Sequence, residues 1–410
     1  MSDAARPSSD TPPALSQVEF VALMAMLFAI IAFSIDAMLP AMPSIATELS
    51  PEAPNRALLI VTSFVLGMGI GTLFTGPLSD AFGRKRVILG GALLYCVGAF
   101  LASVAGSLEL LLAARIIQGL GAAGPRVVAL AVVRDLYDGR RMARIMSLVF
   151  IVFSLVPAAA PALGQVIIWG TGWRGIFGAF ILFAILAMIW MSLRLPETLP
   201  KAKRRSFSGA QLWAGLVEVL GNRTVRLSVL VQGLCLTMLF SVLSGTQPIF
   251  DQTYGAGETF PLWFAMIALL AASASIVNAT LVERMGMRFM VTATLIGQIV
   301  ISTTALILWN WAGVGAALSF AVFLIWTLSI FFQAGLTLGN INAIALEPMG
   351  HIAGMASSVL GAVSTVIAVA LAAPISQAFD GTATPIAAGT LACAVTGVVF
   401  MQRLGRADAT

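Results

Sequence analysis

The chain has 410 residues, 59% hydrophobic and 10% charged, with a formal net charge of +5 and a mean hydropathy of +0.97. A soluble domain carries roughly 25% charged residues, so this composition excludes a soluble enzyme or binding module and specifies a membrane protein with many spans. The positive charge is spread among loops and not gathered as a nucleic-acid surface. The single histidine, His351, excludes a multi-histidine metal site, and Cys96, Cys235 and Cys393 lie in apolar runs without disulfide or metal spacing.

Residues 1–17 are polar and proline-rich and lack the basic-then-apolar order of a cleavable signal. They read as a short cytoplasmic tail. Apolar runs long enough to cross a bilayer must be helical, because hydrocarbon offers no partner for free backbone groups. Twelve such runs are expected, at 18–40, 57–78, 87–105, 108–131, 145–168, 173–193, 226–247, 260–282, 289–308, 313–338, 355–377 and 382–402. They divide into a six-helix bundle over 18–193, a cytoplasmic linker over 194–225, a second bundle over 226–402 and a tail over 403–410. The linker is rich in Lys and Arg and holds an amphipathic piece, Gln211–Leu220, suited to a membrane surface.

Cations fall almost entirely on alternate loops, the termini and the linker. Only Arg56 and Arg174 fall on the other side, and Arg115 and Arg126 remain inside spans. The positive-inside rule then places both termini in the cytoplasm.

The first span contains an acid, Asp36, in Ser34-Ile35-Asp36-Ala37-Met38-Leu39-Pro40. A carboxylate there is costly unless it faces a wet cavity, a partner or a proton path. The bland account is reach to headgroup water from a position four residues inside the helix end.

The stretch between the second and third spans reads Gly76-Pro77-Leu78-Ser79-Asp80-Ala81-Phe82-Gly83-Arg84-Lys85-Arg86. Gly83 suits a tight reversal, and Asp80 is placed to meet a helix start or a cation. The pattern G-x-L-x-D-x-x-G-R-K-R resembles the signature loop of the major facilitator superfamily. A weaker copy lies 203 residues on, where Glu283, Gly286 and Arg288 match Asp80, Gly83 and Lys85. The resemblance implies an all-α membrane protein of twelve transmembrane helices in two pseudo-symmetric six-helix bundles.

Three further motifs extend it. D-x-x-L-P at Asp36 resembles the first helix of proton-coupled drug antiporters of the bicyclomycin-resistance type, where the acid serves proton and substrate binding. R-x-x-Q-G-x-G at Arg115, Gln118, Gly119 and Gly121 resembles the fourth-helix motif tied to proton coupling. A buried strut for neighbouring backbone is an equal account of Arg115, and snorkelling an equal account of Arg126. Pro157-Ala158-Ala159-Ala160-Pro161-Ala162-Leu163-Gly164-Gln165 resembles the antiporter motif G-P-x-x-G-G, with Ala160 and Gln165 in place of two glycines. Gln165 brings an amide to the cavity. Gln232, like Asn278, Gln298, Gln333, Asn340 and Asn342, is either a cavity group or an interhelical bond.

Arg134-Asp135-Leu136-Tyr137 and Leu195-Pro196-Glu197-Thr198 end two spans beside the expected gate. The family likeness therefore implies an exporter driven by protons. Asp36 and Arg115 would couple; Asp36, Gln118, Gln165 and Gln232 would bind substrate. Gly76, Asp80, Gly83, Arg84, Arg134, Pro157, Pro161 and Gly164 would gate. No nucleophile–base set, phosphate loop or metal cluster suggests an enzyme or a cofactor. The expected partners are a small amphipathic molecule, protons and the bilayer, with the chain acting as a monomer. An uptake symporter or a dedicated metabolite exporter of the same superfamily is the alternative, and a non-transporting membrane receptor is a more distant one.

Overall fold

The computed structural model of the protein describes residues 15–311 and 313–407. The tail positions 1–14 and 408–410 lie outside the described residues. Twelve long helices and no strand occur among them. These are α1 (Gln17–Asp36), α2 (Leu59–Phe82), α3 (Arg84–Ser103), α4 (Leu108–Leu136), α5 (Gly139–Thr171), α6 (Arg174–Arg194), α7 (Arg223–Pro248), α8 (Phe260–Met285), α9 (Met287–Trp309), α10 (Ala316–Leu346), α11 (Ala353–Gln377) and α12 (Thr384–Ala407). By length and hydropathy they form eleven candidate spans, because α10 and α11 run together across the short turn Glu347–Ile352 as one 62-residue segment. A kink at Met349, where the backbone leaves helical angles, separates the two.

Several helix starts follow from local chemistry. The side chains of Ser16, Ser107 and Asn222 accept bonds from Glu19 N, Leu110 N and Val225 N, satisfying backbone donors that the first turns leave free. The linker helix, Gly209–Gly221, is capped the same way by Ser208. It buries Leu212 and Val219 and leaves Trp213 exposed, as an amphipathic surface helix should. His351, beyond α10, lies 2.7 Å from Glu218 of this helix.

Six long helices precede the linker and six follow it. Within the first six, α4 packs on α2 and α3 at very short range. A Cβ on Gly119 would strike the backbone of Phe64, and only a hydrogen there permits the approach. The two sets meet along α2 with α11 and along α5 with α8. We call the face bearing the termini and linker the basic face. At the opposite face, Asn55 ties the sets together, its Nδ2 donating to Gln377 O at 3.0 Å and Phe379 O at 2.6 Å. A rigid aromatic cluster also sits at that end, with Phe250 against Phe260, Phe320 and Phe323 at 5.2–5.8 Å.

The internal repeat is visible in the backbone. Gly83 and Gly286 reverse the chain with φ of +98° and +81°, each joining two consecutive helices.

Candidate functional site

The intramembrane polar centre is built on α1, α3 and α4. The sequence suggested a first span to residue 40, but α1 ends at Asp36 and continues as a short turn, Leu39–Ala41, and the helix Met42–Leu49. Pro40 accounts for the break, since its ring would clash with the carbonyl four residues earlier, that of Asp36. Asp36 is thus the last residue of a broken helix. It is 6% exposed, and its carboxylate makes no hydrogen bond or ion pair among the described residues. Beside it, α5 crosses the break. Gly164 stands so close to Ala37 O that any Cβ would overlap it. Pro161 is buried beside this crossing, Pro157 and Gln165 are part-buried, and α5 runs unbroken through both prolines.

Arg115 is fully buried and lies close to α1 without pairing with Asp36. Its guanidinium donates to Ser34 O at 3.0 Å, Ile60 O at 3.3 Å and Gln118 Oε1 at 2.8 Å, and stacks 4.4 Å over Phe64. Two backbone carbonyls and an amide oxygen therefore hold this permanent cation, as a strut for neighbouring backbone would. Ser34 Oγ gives its proton to Ile30 O, which leaves the Tyr95 hydroxyl to donate to Ser34 at 2.6 Å. Tyr95 joins α3 to this centre, and sequence reasoning missed it. Gln118 Nε2 makes no hydrogen bond among the described residues. The chain from Tyr95 through Ser34 and Arg115 to Gln118 fixes the end of α1 two residues before Asp36.

The gating loop makes a second charged group at the basic face. Arg84 Nη1 donates to Asp80 Oδ1 at 2.6 Å and Ser79 Oγ at 2.7 Å, and its Nε to Asp135 Oδ2 at 3.0 Å. Asp80 thus meets a cation of its own half. The carboxylate at the start of α3 is Glu197, which accepts from Arg84 N at 2.8 Å and Lys85 N at 3.3 Å. A negative charge there satisfies free donors and complements the helix dipole. Arg204 approaches Glu197 at 3.7 Å, and Arg205 N donates to Asp80 O at 3.1 Å, so the linker closes the group. Asp135, and not its neighbour Arg134, enters it. Arg134 is exposed and makes no hydrogen bond among the described residues. Gly76 faces α11, where a Cβ would lie 3.3 Å from Ser358 Oγ.

Gly83 carries a testable constraint. Its φ of +98° and ψ of 155° lie in a region open essentially to glycine, and a Cβ would overlap the Glu197 carboxylate. Gly83→Ala is expected to lose about 1–3 kcal/mol of stability, read as a lower melting temperature in detergent. Unchanged melting would show that the turn is not so constrained.

In the second half, polar groups mostly bond among themselves. Gln298 Nε2 donates to Ser302 Oγ at 3.0 Å, Gln333 Nε2 to Thr337 Oγ1 at 2.9 Å, and Asn340 Nδ2 to Asn278 Oδ1 at 2.7 Å. Asn342 bonds its own helix at Leu338 O. Gln232 is buried, and its Oε1 makes no hydrogen bond among the described residues. No group of three or more potential metal ligands occurs among the described residues.

Known proteins place this architecture. A family model described as Major Facilitator Superfamily matches residues 24–401. A "Bicyclomycin resistance protein homolog" of Haemophilus influenzae is 28% identical over 391 residues, covering 93% of this chain and 94% of that protein. "Multidrug resistance protein MdtL" of Escherichia coli (strain K12) is 29% identical over 330 residues, 80% of each chain. The crystal structure of a D-xylose-proton symporter shares the fold, with a TM-score of 0.74 at 15% identity over 94% of this chain and 97% of that one.

Proposed function

Because the chain belongs to the Major Facilitator Superfamily and is a multi-pass membrane transporter, we propose that it exports small amphipathic molecules in exchange for protons. The observation that carries this reading is Asp36. It is the one acid among the buried side chains of the described residues, it lacks a counter-ion, and it sits at a helix break where α1 meets α5. Such a group is free to gain and lose a proton as the surrounding helices rearrange. The names of the relatives, which speak of drug resistance, support export. The two halves would rock about a midplane site, with α2–α11 and α5–α8 as the sliding contacts. Arg115 would hold the end of α1 in register, Gln118, Gln165 and Gln232 would offer amides to substrate, and the Asp80–Arg84–Asp135–Glu197 group would stabilise one state of the gate. Pro157, Pro161 and Gly164 would let α5 move against α1.

We place the protein in a bacterial-type inner membrane as a monomer, with the basic face in the cytoplasm, because cations favour that side. Glu52→Cys and Glu258→Cys should then react with impermeant maleimide from outside, and Arg140→Cys and Lys203→Cys only from inside. The reverse pattern would invert the assignment. In inverted vesicles with an acidic lumen, a transported drug should dissipate part of the pH gradient. A compound that is carried without such dissipation would contradict proton exchange.

A further inference from the structure

One face of α4 carries Arg115, Gly119, Ala122, Arg126, Ala129 and Val133, at alternating spacings of four and three. Every member except Arg126 is buried. Arg126 is exposed. The other side of the helix, at Leu110 and Ala113, is exposed too. Arg126 stands on the same face as Arg115, which bonds Ser34 of α1, and Gly119, which packs on Phe64 of α2, and it touches Met68 of α2 itself. Its exposure is therefore on the side of α4 turned to α1 and α2, away from Leu110 and Ala113.

A guanidinium has five N–H donors. The one polar contact of Arg126 among the described residues is Met68 Sδ at 3.8 Å, and a thioether is a weak acceptor. Arg115, by contrast, has three oxygen acceptors and a ring. Among the described residues, the interiors of the spans therefore hold two guanidiniums against the single carboxylate of Asp36. An anion in this space meets a net attraction whether or not Asp36 is ionised, and a cation meets the opposite.

Resting on the transporter reading above, we propose that Arg126 is an anion-recognising contact of the transport cavity. The preferred cargo is an apolar body carrying one carboxylate, which a guanidinium binds through two parallel hydrogen bonds. Permanent cations are disfavoured.

Two measurements test this, the first without any transport. Leu130→Cys, one turn from Arg126 towards the basic face, is placed in a chain whose three native cysteines are changed to alanine. The thiol is reacted with the anionic sulfonatoethyl and the cationic trimethylammonioethyl methanethiosulfonates. Their rate ratio, normalised to a free thiol, should favour the anion and fall about tenfold when Arg126→Gln is added. Arg126→Lys should keep most of the bias. Equal ratios with and without Arg126, or a thiol that reacts with neither reagent, overturn the proposal.

The second measurement uses indole-3-acetate, indole-3-acetamide and tryptamine as competitors of proton-driven flux of a neutral drug in proteoliposomes. The carboxylate should compete best in the wild-type chain, and Arg126→Gln should erase that order while flux of the neutral drug persists. Absence of a carboxylate preference overturns the proposal and leaves proton-driven export standing. Absence of any gradient-driven flux sinks the transporter reading instead, and the thiol rates still decide the role of Arg126.

Discussion

Asp36→Asn is expected to abolish the use of a proton gradient while leaving substrate binding in place. The amide matches the carboxylate in size, so the packing of α1 against Gly164 is preserved, but it cannot carry a proton. For exchange of one proton per molecule, one pH unit stores about 1.4 kcal/mol, enough for at most about tenfold accumulation. Proteoliposomes with a one-unit gradient should approach that ratio with the wild-type chain and stay near one with Asp36→Asn. If the variant still concentrates substrate in response to pH, Asp36 is not the coupling acid. Glu19 and Glu109 are poor substitutes. Each lies in the first turn of its helix and is held by an arginine, Glu19 by Arg194 at 2.6 Å and Glu109 by Arg56 at 2.8 Å.

Arg115→Ala should be the most damaging change to the intramembrane centre. It strips the donor from Ser34 O, Ile60 O and Gln118 Oε1 and leaves a void over Phe64. Each buried acceptor left unpaired costs about 1–3 kcal/mol, so a marked fall in melting temperature should accompany lost coupling. Arg115→Lys should recover part of both, because an ammonium replaces the charge but cannot span three acceptors in the same fork. The useful comparison is the ratio of gradient-driven to passive exchange in the lysine variant. Coupling that recovers fully with lysine would reduce Arg115 to a point charge, and melting that is unchanged in the alanine variant would remove its structural role.

The spans were legible because hydrocarbon thickness sets a length that apolar runs must meet. Their ends were less so, and in a regular way. At the basic face α2, α4, α5, α10 and α12 run four to eight residues past their apolar stretches. There the helices continue into water, where backbone bonding no longer requires apolar side chains. The opposite ends agree more closely, except for α1, whose break Pro40 signals four residues after Asp36. Motif spacing singled out Asp36, Arg115, Asp80 and Gly83 as candidates. It could not find the partners that complete them. Glu197 lies 113 residues from Arg84 in sequence, and only the folded chain brings its carboxylate to the start of α3. Tyr95 lies in an apolar run with no motif around it, and only the fold brings its hydroxyl to Ser34. For Arg126 the sequence gives depth along α4, but whether that face meets lipid or the interior depends on how α2 and α3 pack around it. The matched glycines 83 and 286 show the opposite case, a weak pattern with a direct backbone consequence.

The most direct test of proton-coupled export records lumenal pH as substrate leaves preloaded proteoliposomes that start with no pH gradient. Exchange through Asp36 requires a proton to enter for each molecule that departs, so the lumen should acidify with the wild-type chain and stay constant with Asp36→Asn. A lumen that turns alkaline would identify a symporter, and a lumen unchanged during wild-type efflux would contradict proton coupling altogether.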